Sequence, residues 1–267
     1  MNRSKTRNLR FAAGAIAAGL CSVAAASASA QTVIGLVDGK SLVMIDAASG
    51  KAGKSVAISG ASDLLGIDVR PADGMLYGVT RAGSVVTIDP TSGKATEKSK
   101  LKTALPADIT VIDFNPAADR LRLIGKGGAN LRANVDDGSV TTDGALKFAD
   151  NDMHKGEKAN VVAAAYTNSV KGAKETTLYN IDATIGGLLK QAPPNDGILN
   201  AVGKLGVQGS GPMAFDIAAD AQGTNAAWLL AGGTLHKVDL ASGKATAAGK
   251  VTGASGTITD IAIWPAK

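Results

Sequence analysis

The sequence predicts an all-β fold: a β-propeller of five four-stranded blades, closed by a C-terminal strand that joins the N-terminal blade. Three observations carry this expectation. An Asp-to-Gly turn recurs along the chain, an apolar strand-like element precedes the copies, and the C-terminus ends on one such element without the rest of its unit. With 33 glycines in 267 residues and only 3% aromatics, the composition suits short strands and tight turns better than long helices.

The turn is clearest in Ile45-Asp46-Ala47-Ala48-Ser49-Gly50-Lys51-Ala52, which returns as Ile88-Asp89-Pro90-Thr91-Ser92-Gly93-Lys94-Ala95 and as Val238-Asp239-Leu240-Ala241-Ser242-Gly243-Lys244-Ala245. Degenerate copies are read at Asn134-Val135-Asp136-Asp137-Gly138 and Ile181-Asp182-Ala183-Thr184-Ile185-Gly186. Asp accepts bonds from the N–H groups just ahead of it, and Gly takes the left-handed conformation that closes the loop. The preceding element is Leu65-Gly66-Ile67-Asp68-Val69-Arg70-Pro71, with counterparts at Val111-Ile112-Asp113-Phe114-Asn115-Pro116 and Met213-Ala214-Phe215-Asp216-Ile217. Between Leu64 and Ala95 the order is strand, turn at Asp73-Gly74, strand, turn at Ala82-Gly83, strand, Asp-to-Gly hairpin, strand, which is the pattern of a propeller blade. The chain enters at Thr32-Val33-Ile34-Gly35-Leu36 without a first element and ends on a lone one, Ile258 to Pro265. Pairing these two would close the ring and leave no free edge. An open sandwich or β-solenoid of five units is the alternative topology.

Residues 1–30 have the three parts of a secretory signal peptide. Arg3, Lys5, Arg7 and Arg10 precede an apolar run from Phe11 to about Ala26, and Ala28-Ser29-Ala30 offers a cleavage site before Gln31. Export to the periplasm or the cell exterior is the expectation, with residues 31–267 as a single domain. The leader holds four of the 28 Lys+Arg and none of the 23 Asp+Glu, so the remainder carries 24 basic against 23 acidic side chains. The basic balance belongs to the targeting segment and does not argue for nucleic acid as a partner. No later run approaches the ~20 apolar residues of a membrane span. Cys21 is lost with the leader, so neither a disulfide nor a thiol nucleophile is available to the mature chain.

Several motifs invite a chemical reading. Ala48 to Ser55 fits a relaxed phosphate loop, but its Ser-Gly-Lys core is the hairpin turn of the other repeats, and strand-like Val56-Ala57-Ile58 follows instead of a helix. His154 and His236 are the only histidines and lie far apart, short of the three or four ligands that zinc needs. Asp150-Asn151-Asp152, with His154 and Glu157, lacks the spacing of a calcium loop. No Gly-x-Ser-x-Gly elbow occurs. No cofactor is expected. Asp68, Asp113 and Asp216 occupy one position of the first element in three blades. Either they converge on an axial metal, or each bonds backbone N–H groups of a turn and fixes how blades pack.

The third blade holds polar residues that packing does not explain. Arg120 and Arg122 alternate with Leu121 and Leu123, so both guanidinium groups leave one strand face. A three-residue loop, Lys126-Gly127-Gly128, places Gly125 opposite Ala129, Ile124 opposite Asn130 and Arg122 opposite Arg132. Facing like charges require an anion between them. Asp113 or Asp119 supplies it internally, or a ligand carboxylate or phosphate does, with Asn130 and Asn168 adding amide contacts.

The run Asp113-Phe114-Asn115-Pro116, Asp119-Arg120-Leu121-Arg122 and Asn130-Leu131-Arg132 resembles the bacterial family called domain of unknown function 4394. Asp143-Gly144-Ala145-Leu146, Asn160-Val161-Val162, Ala165-Tyr166-Thr167-Asn168 and Pro193-Pro194-Asn195-Asp196-Gly197 agree with it in order. The resemblance implies an exported, propeller-like protein and carries no assigned activity or catalytic residue. Two function classes follow: a non-catalytic binding or scaffold propeller for an unknown small molecule or protein, and a propeller hydrolase or lyase with an axial carboxylate or metal site.

Overall fold

A computed structural model describes Met1 and residues 31–207, 211–220 and 222–264. The leader expected at 1–30 therefore lies, but for Met1, outside the described residues, as does Pro265 of the last element. Chain order gives β1 (Thr32–Val37), β2 (Ser41–Asp46) and β3 (Val56–Ala57) in blade one. Blade two is β4 (Leu64–Val69), β5 (Leu76–Thr80), β6 (Ser84–Ile88) and β7 (Ala95–Lys100). Blade three is β8 (Ile109–Asn115), β9 (Arg120–Gly125), β10 (Asn130–Ala133) and β11 (Val140–Thr142). A short β12 (Lys147–Phe148) leads into blade four, β13 (Val161–Tyr166), β14 (Leu178–Asp182), β15 (Gly187–Gln191) and β16 (Ile198–Lys204). Blade five is β17 (Ala214–Ala219), β18 (Asn225–Ala231), β19 (Thr234–Val238) and β20 (Ala245–Lys250), and β21 (Ile258–Trp264) ends the described chain.

The strands form five sheets, each with four antiparallel strands, a five-bladed propeller in which the short β12 adds to blade four by pairing parallel with β16. The C-terminal β21 pairs with β1 from Thr32–Trp264 to Val37–Ile258 and is the innermost strand of blade one, as the sequence predicts. The innermost strands β21, β4, β8, β13 and β17 pack against one another in that order around the axis. Between blades lie apolar layers, such as Tyr77, Val79 and Val85 of blade two against Phe114, Leu121 and Leu123 of blade three. Gly66 of blade two has close neighbours on both sides, since a Cβ there would stand 2.5 Å from an Asp260 oxygen of blade one and 3.2 Å from the Ile112 side chain of blade three.

At the rim the turn glycines do more than close hairpins. Gly50, Gly93, Gly138 and Gly243 all have positive φ, and each presses on the backbone of the preceding blade. A Cβ on Gly138 would lie 1.9 Å from the Lys100 carbonyl oxygen, and one on Gly93 2.2 Å from that of Ala57. The carbonyls of Gly50, Gly93 and Gly138 also accept the N–H groups of Thr252, Ser59 and Lys102 from the preceding blade.

Gly186, read as the fifth member of this series, is not one. Its turn joins β14 to β15, the second and third strands of blade four, and a Cβ there would meet nothing within 4 Å among the described residues. The equivalent glycine is Gly197, in the turn from β15 to β16. Its φ is 70°, its Cβ position lies 2.4 Å from the Gly144 and Ala145 oxygens, and its carbonyl accepts the Lys147 N–H. Local turn chemistry is the same in both places, because Asp182 accepts from the Thr184 and Ile185 N–H groups just as Asp89 does from Thr91 and Ser92. Contact with the neighbouring blade separates them, and that contact is tertiary.

Candidate functional site

The axis carries the acidic residues. Asp68, Asp113 and Asp216 are buried and each offers an oxygen within 4.8 Å of the others, so the three blades do bring them together. Asp68 accepts from its own neighbour Val69 and from Phe114 of blade three. Asp113 accepts from Tyr166 of blade four, and Asp216 from Ile217 and from Ile263 of blade one. The donors are strand N–H groups, of the aspartate's own strand and of the next blade, not turn groups. Asp260 completes the set by accepting from Ile261 and from Ile67 of blade two. Because Asp260 bonds Ile67 where Asp68 bonds Phe114, it sits one pleat further along the axis. That offset hid it among the first elements, although Thr259-Asp260-Ile261 mirrors Phe215-Asp216-Ile217.

Burial is the leading cause that pushes all four carboxyls above their ordinary range, against the backbone donors that pull them down. Repulsion from Asp216 adds to Asp68 and Asp260, and repulsion from Asp68 and Asp216 adds to Asp113. Asp216 is pushed up to about 6. Blade four offers no carboxylate on β13. Its seam with blade five is held by Asn168 and Asn225, which exchange hydrogen bonds of 2.7 and 2.9 Å, and by Ser169 bonded to the Ile217 carbonyl. Asn168 thus belongs to a seam away from the third-blade arginines.

Those arginines stand in the register that the loop length predicts, Arg122 opposite Arg132 and Asn130 opposite Ile124. The anion between them is neither Asp113 nor Asp119 but Asp143. Arg132 holds it through Nε and Nη2 at 2.7 and 2.8 Å, and Arg122 through Nη1 at 2.7 Å. Arg122 is 1% exposed and also donates to Tyr166 Oη, Asn130 Oδ1 and Asn195 Oδ1. Burial pushes Asp143 up, but the two guanidinium groups outweigh it and leave the carboxyl below its usual range. Asn195 sits in the rim turn that ends at Gly197, so this network is the lock between blades three and four. Arg120 stands apart, donating to the Ala118 and Asp119 carbonyls. Spacing could not find Asp143 and Asn195, which lie 21 and 73 residues from Arg122. Their only signal was membership of the segments shared with the resembling family.

Open space lies at the two ends of the axis. Where the innermost strands begin, a funnel of about 590 Å³ is lined from all five blades, by Asp38 and Thr259, Asp63 and Arg81, Thr110 and Lys126, Val162 and Met213. Asp38 and Asp63 are both in the left-handed region, at φ 50° and 52°. At the other end a cavity of about 220 Å³ reaches Asp68 and Asp216 beside Ser169 and Lys171. The histidines are on neither. His154 bonds Glu157 in the loop before blade four, and His236 is buried in β19. Asp152 of that loop accepts from the His154 and Ala201 N–H groups.

Among solved structures the chain is similar to a protein of unknown function from Bacteroides caccae, at 14% identity over 82% of this chain and 72% of that one, with a TM-score of 0.44. It is also similar to an auxiliary nutrient binding protein from Bacteroides ovatus, at 14% identity, 73% and 55% coverage and a TM-score of 0.43. A functionally unknown protein from Desulfotomaculum acetoxidans matches at 17% identity, 82% and 65% coverage and a TM-score of 0.41. The chain spans about half to three quarters of the length of these three proteins. No curated protein matches it. The family described as Domain of unknown function (DUF4394) matches residues 41–262, which takes in every blade and both the axial and the third-blade residues. The chain belongs to that family.

Proposed function

We propose that the protein is an exported, non-catalytic binding propeller that works in the periplasm or outside the cell and seats an unidentified small polar molecule in the axial funnel. The observation that carries this reading is the funnel itself: about 590 Å³, walled by all five blades and rimmed by Arg81, Lys126, Asp38 and Asp63. That volume falls in the range of small-molecule sites, whose specificity comes from a few fixed polar groups. The leader pattern at residues 1–30 supports export. An external anion at Arg122 and Arg132 has to displace Asp143, which favours the funnel over the third blade as the seat.

The test is a thermal-shift screen of polar metabolites followed by calorimetry, since a ligand that binds only the native state raises its melting temperature with concentration. Arg81 and Lys126 are exposed, so replacing both with Ala should leave unliganded stability within about 0.5 kcal/mol while removing binding. Hits unaffected by that double variant would place the ligand elsewhere. A hydrolase or lyase with an axial metal is the second reading, favoured by the 4.8 Å cluster of Asp68, Asp113 and Asp216. Elemental analysis and titration with calcium, magnesium, manganese and zinc decide it, and no bound metal with no thermal shift removes it.

A further inference from the structure

We propose that Gln31 becomes the N-terminal residue and cyclises to pyroglutamate, which then caps the seam between blades one and five. This rests on the export reading, in which the leader is cut after Ala30.

The residue that follows Ala28-Ser29-Ala30 is the one side chain whose amide lies in reach of its own freed α-amine. In the reaction the α-amine nitrogen attacks the side-chain carbonyl carbon Cδ. A new Cδ–N bond forms, the Cδ–Nε2 bond breaks, and ammonia leaves with the proton the amine gives up. No oxidant, reductant or second substrate is needed. The product is a five-membered lactam whose carbonyl oxygen is the former Oε1 and whose nitrogen no longer carries a positive charge.

The seam is arranged around the atom that survives this reaction. Oε1 of Gln31 accepts a 2.8 Å hydrogen bond from the indole Nε1 of Trp228, a residue 4% exposed on β18 of blade five. The backbone carbonyl of Gln31 accepts the Ala47 N–H at 3.0 Å. Nε2, the leaving nitrogen, has no hydrogen-bond partner among the described residues. Both acceptors that hold residue 31 therefore persist in the lactam. What disappears is an α-ammonium charge beside an apolar layer of Val33, Ile45, Trp228 and Ile263, where burial disfavours a charge. Loss of that charge, and of the amine on which aminopeptidases act, is the gain for a protein outside the cytoplasm.

The experiment is intact mass spectrometry of the full-length chain expressed with its leader in an exporting bacterium, alongside Gln31→Ala and Trp228→Phe. The expected mass is that of residues 31–267 less one ammonia, with an N-terminus that resists Edman sequencing until pyroglutamyl aminopeptidase opens it. In Gln31→Ala the terminus should sequence normally at full mass. In Trp228→Phe the lactam should still form but be released by pyroglutamyl aminopeptidase several-fold faster, its anchor gone. A mature chain beginning at Gln31 with its ammonia retained overturns cyclisation and leaves export standing. A chain that keeps the leader, or is cut elsewhere, overturns both.

Discussion

Blade four and the other four blades solve the same joining problem with different parts. Elsewhere a blade is tied to its neighbours at the axis by an aspartate and at the rim by a turn glycine preceded by Asp or Asn. Blade four has no axial aspartate of its own, replaces it with Asn168 and Ser169, and makes its rim turn from Pro193-Pro194-Asn195-Asp196-Gly197. Its polar contacts run inward instead, to the buried Arg122, Asn130 and Gln191. The seam between blades two and three shows the ordinary plan with an ionic addition at its edge, where Arg70 binds Asp119 and Asp136. Arg70 raises no desolvation problem comparable with that of Arg122, whose partner Asp143 is 5% exposed while Asp119 and Asp136 are 37% and 48% exposed. A repeat protein thus keeps its geometry while one unit changes its chemistry, provided the same backbone contact, Gly197 to Lys147, is made.

The largest expected effect tests the seam that all blades depend on. Deleting the chain from Thr257 removes β21, its six-residue pairing with β1 and the Asp260 staple to blade two. The shortened protein should lose cooperative unfolding altogether, as followed by circular dichroism. A melting temperature equal to that of the full chain would mean that the ring does not rely on closure.

Next is the polar lock of blade four. Arg122→Ala leaves Asp143 with half its neutralisation and takes one donor each from the Tyr166, Asn130 and Asn195 oxygens, which should cost about 3–5 kcal/mol in urea denaturation. Arg120→Ala, on the same strand but bonded to the Ala118 and Asp119 carbonyls, should cost well under ~1 kcal/mol. Equal effects from the two would show that the lock is not what joins blades three and four.

The axial aspartates give a pH dependence of defined sign. A carboxyl raised in the native state keeps its proton while the unfolded chain loses its own, so the native state binds more protons and stability falls as pH rises. The fall should begin near the unfolded value, about 4, and for Asp216 run to its native value of about 6, worth up to about 3 kcal/mol at one pH unit per ~1.4 kcal/mol. Denaturation at pH 4.5 and pH 7, at roughly those values, should show it, and Asp216→Asn should remove the share due to Asp216 while Asp68, Asp113 and Asp260 keep theirs. A bound axial cation would hold the carboxylates ionised and abolish the slope, so the same measurement separates protons from metal.

The smallest effect sharpens the assignment of the rim turns. Gly138→Ala meets the Lys100 carbonyl as well as an unfavourable φ of 72°, and should cost about 2–3 kcal/mol or more. Gly186→Ala pays only for φ 59°, about 1 kcal/mol, because its side is open. Comparable losses would return Gly186 to the rim series.

The five-blade ring, its closure and the facing of Arg122 and Arg132 were legible in the residues. All three rest on local rules: Asp and Gly shape a turn, strand residues alternate, and a three-residue loop sets a register. The convergence of Asp68, Asp113 and Asp216 was legible as equivalence between repeats, since equal positions on innermost strands must meet at the axis. Asp260, one pleat away, was not, because position along an axis depends on how the last strand is paired.

Tertiary structure alone decided the rest. It chose Asp143 over Asp113 and Asp119 as the partner of two guanidinium groups, Gly197 over Gly186 as the rim glycine, and Asn225 as the partner of Asn168. Each choice is between candidates with the same local chemistry, and what separates them is which backbone or charge a neighbouring blade brings within a few ångströms. Sequence spacing encodes contacts made inside one blade. Contacts between blades depend on the angle at which whole sheets pack, and no short motif carries that angle.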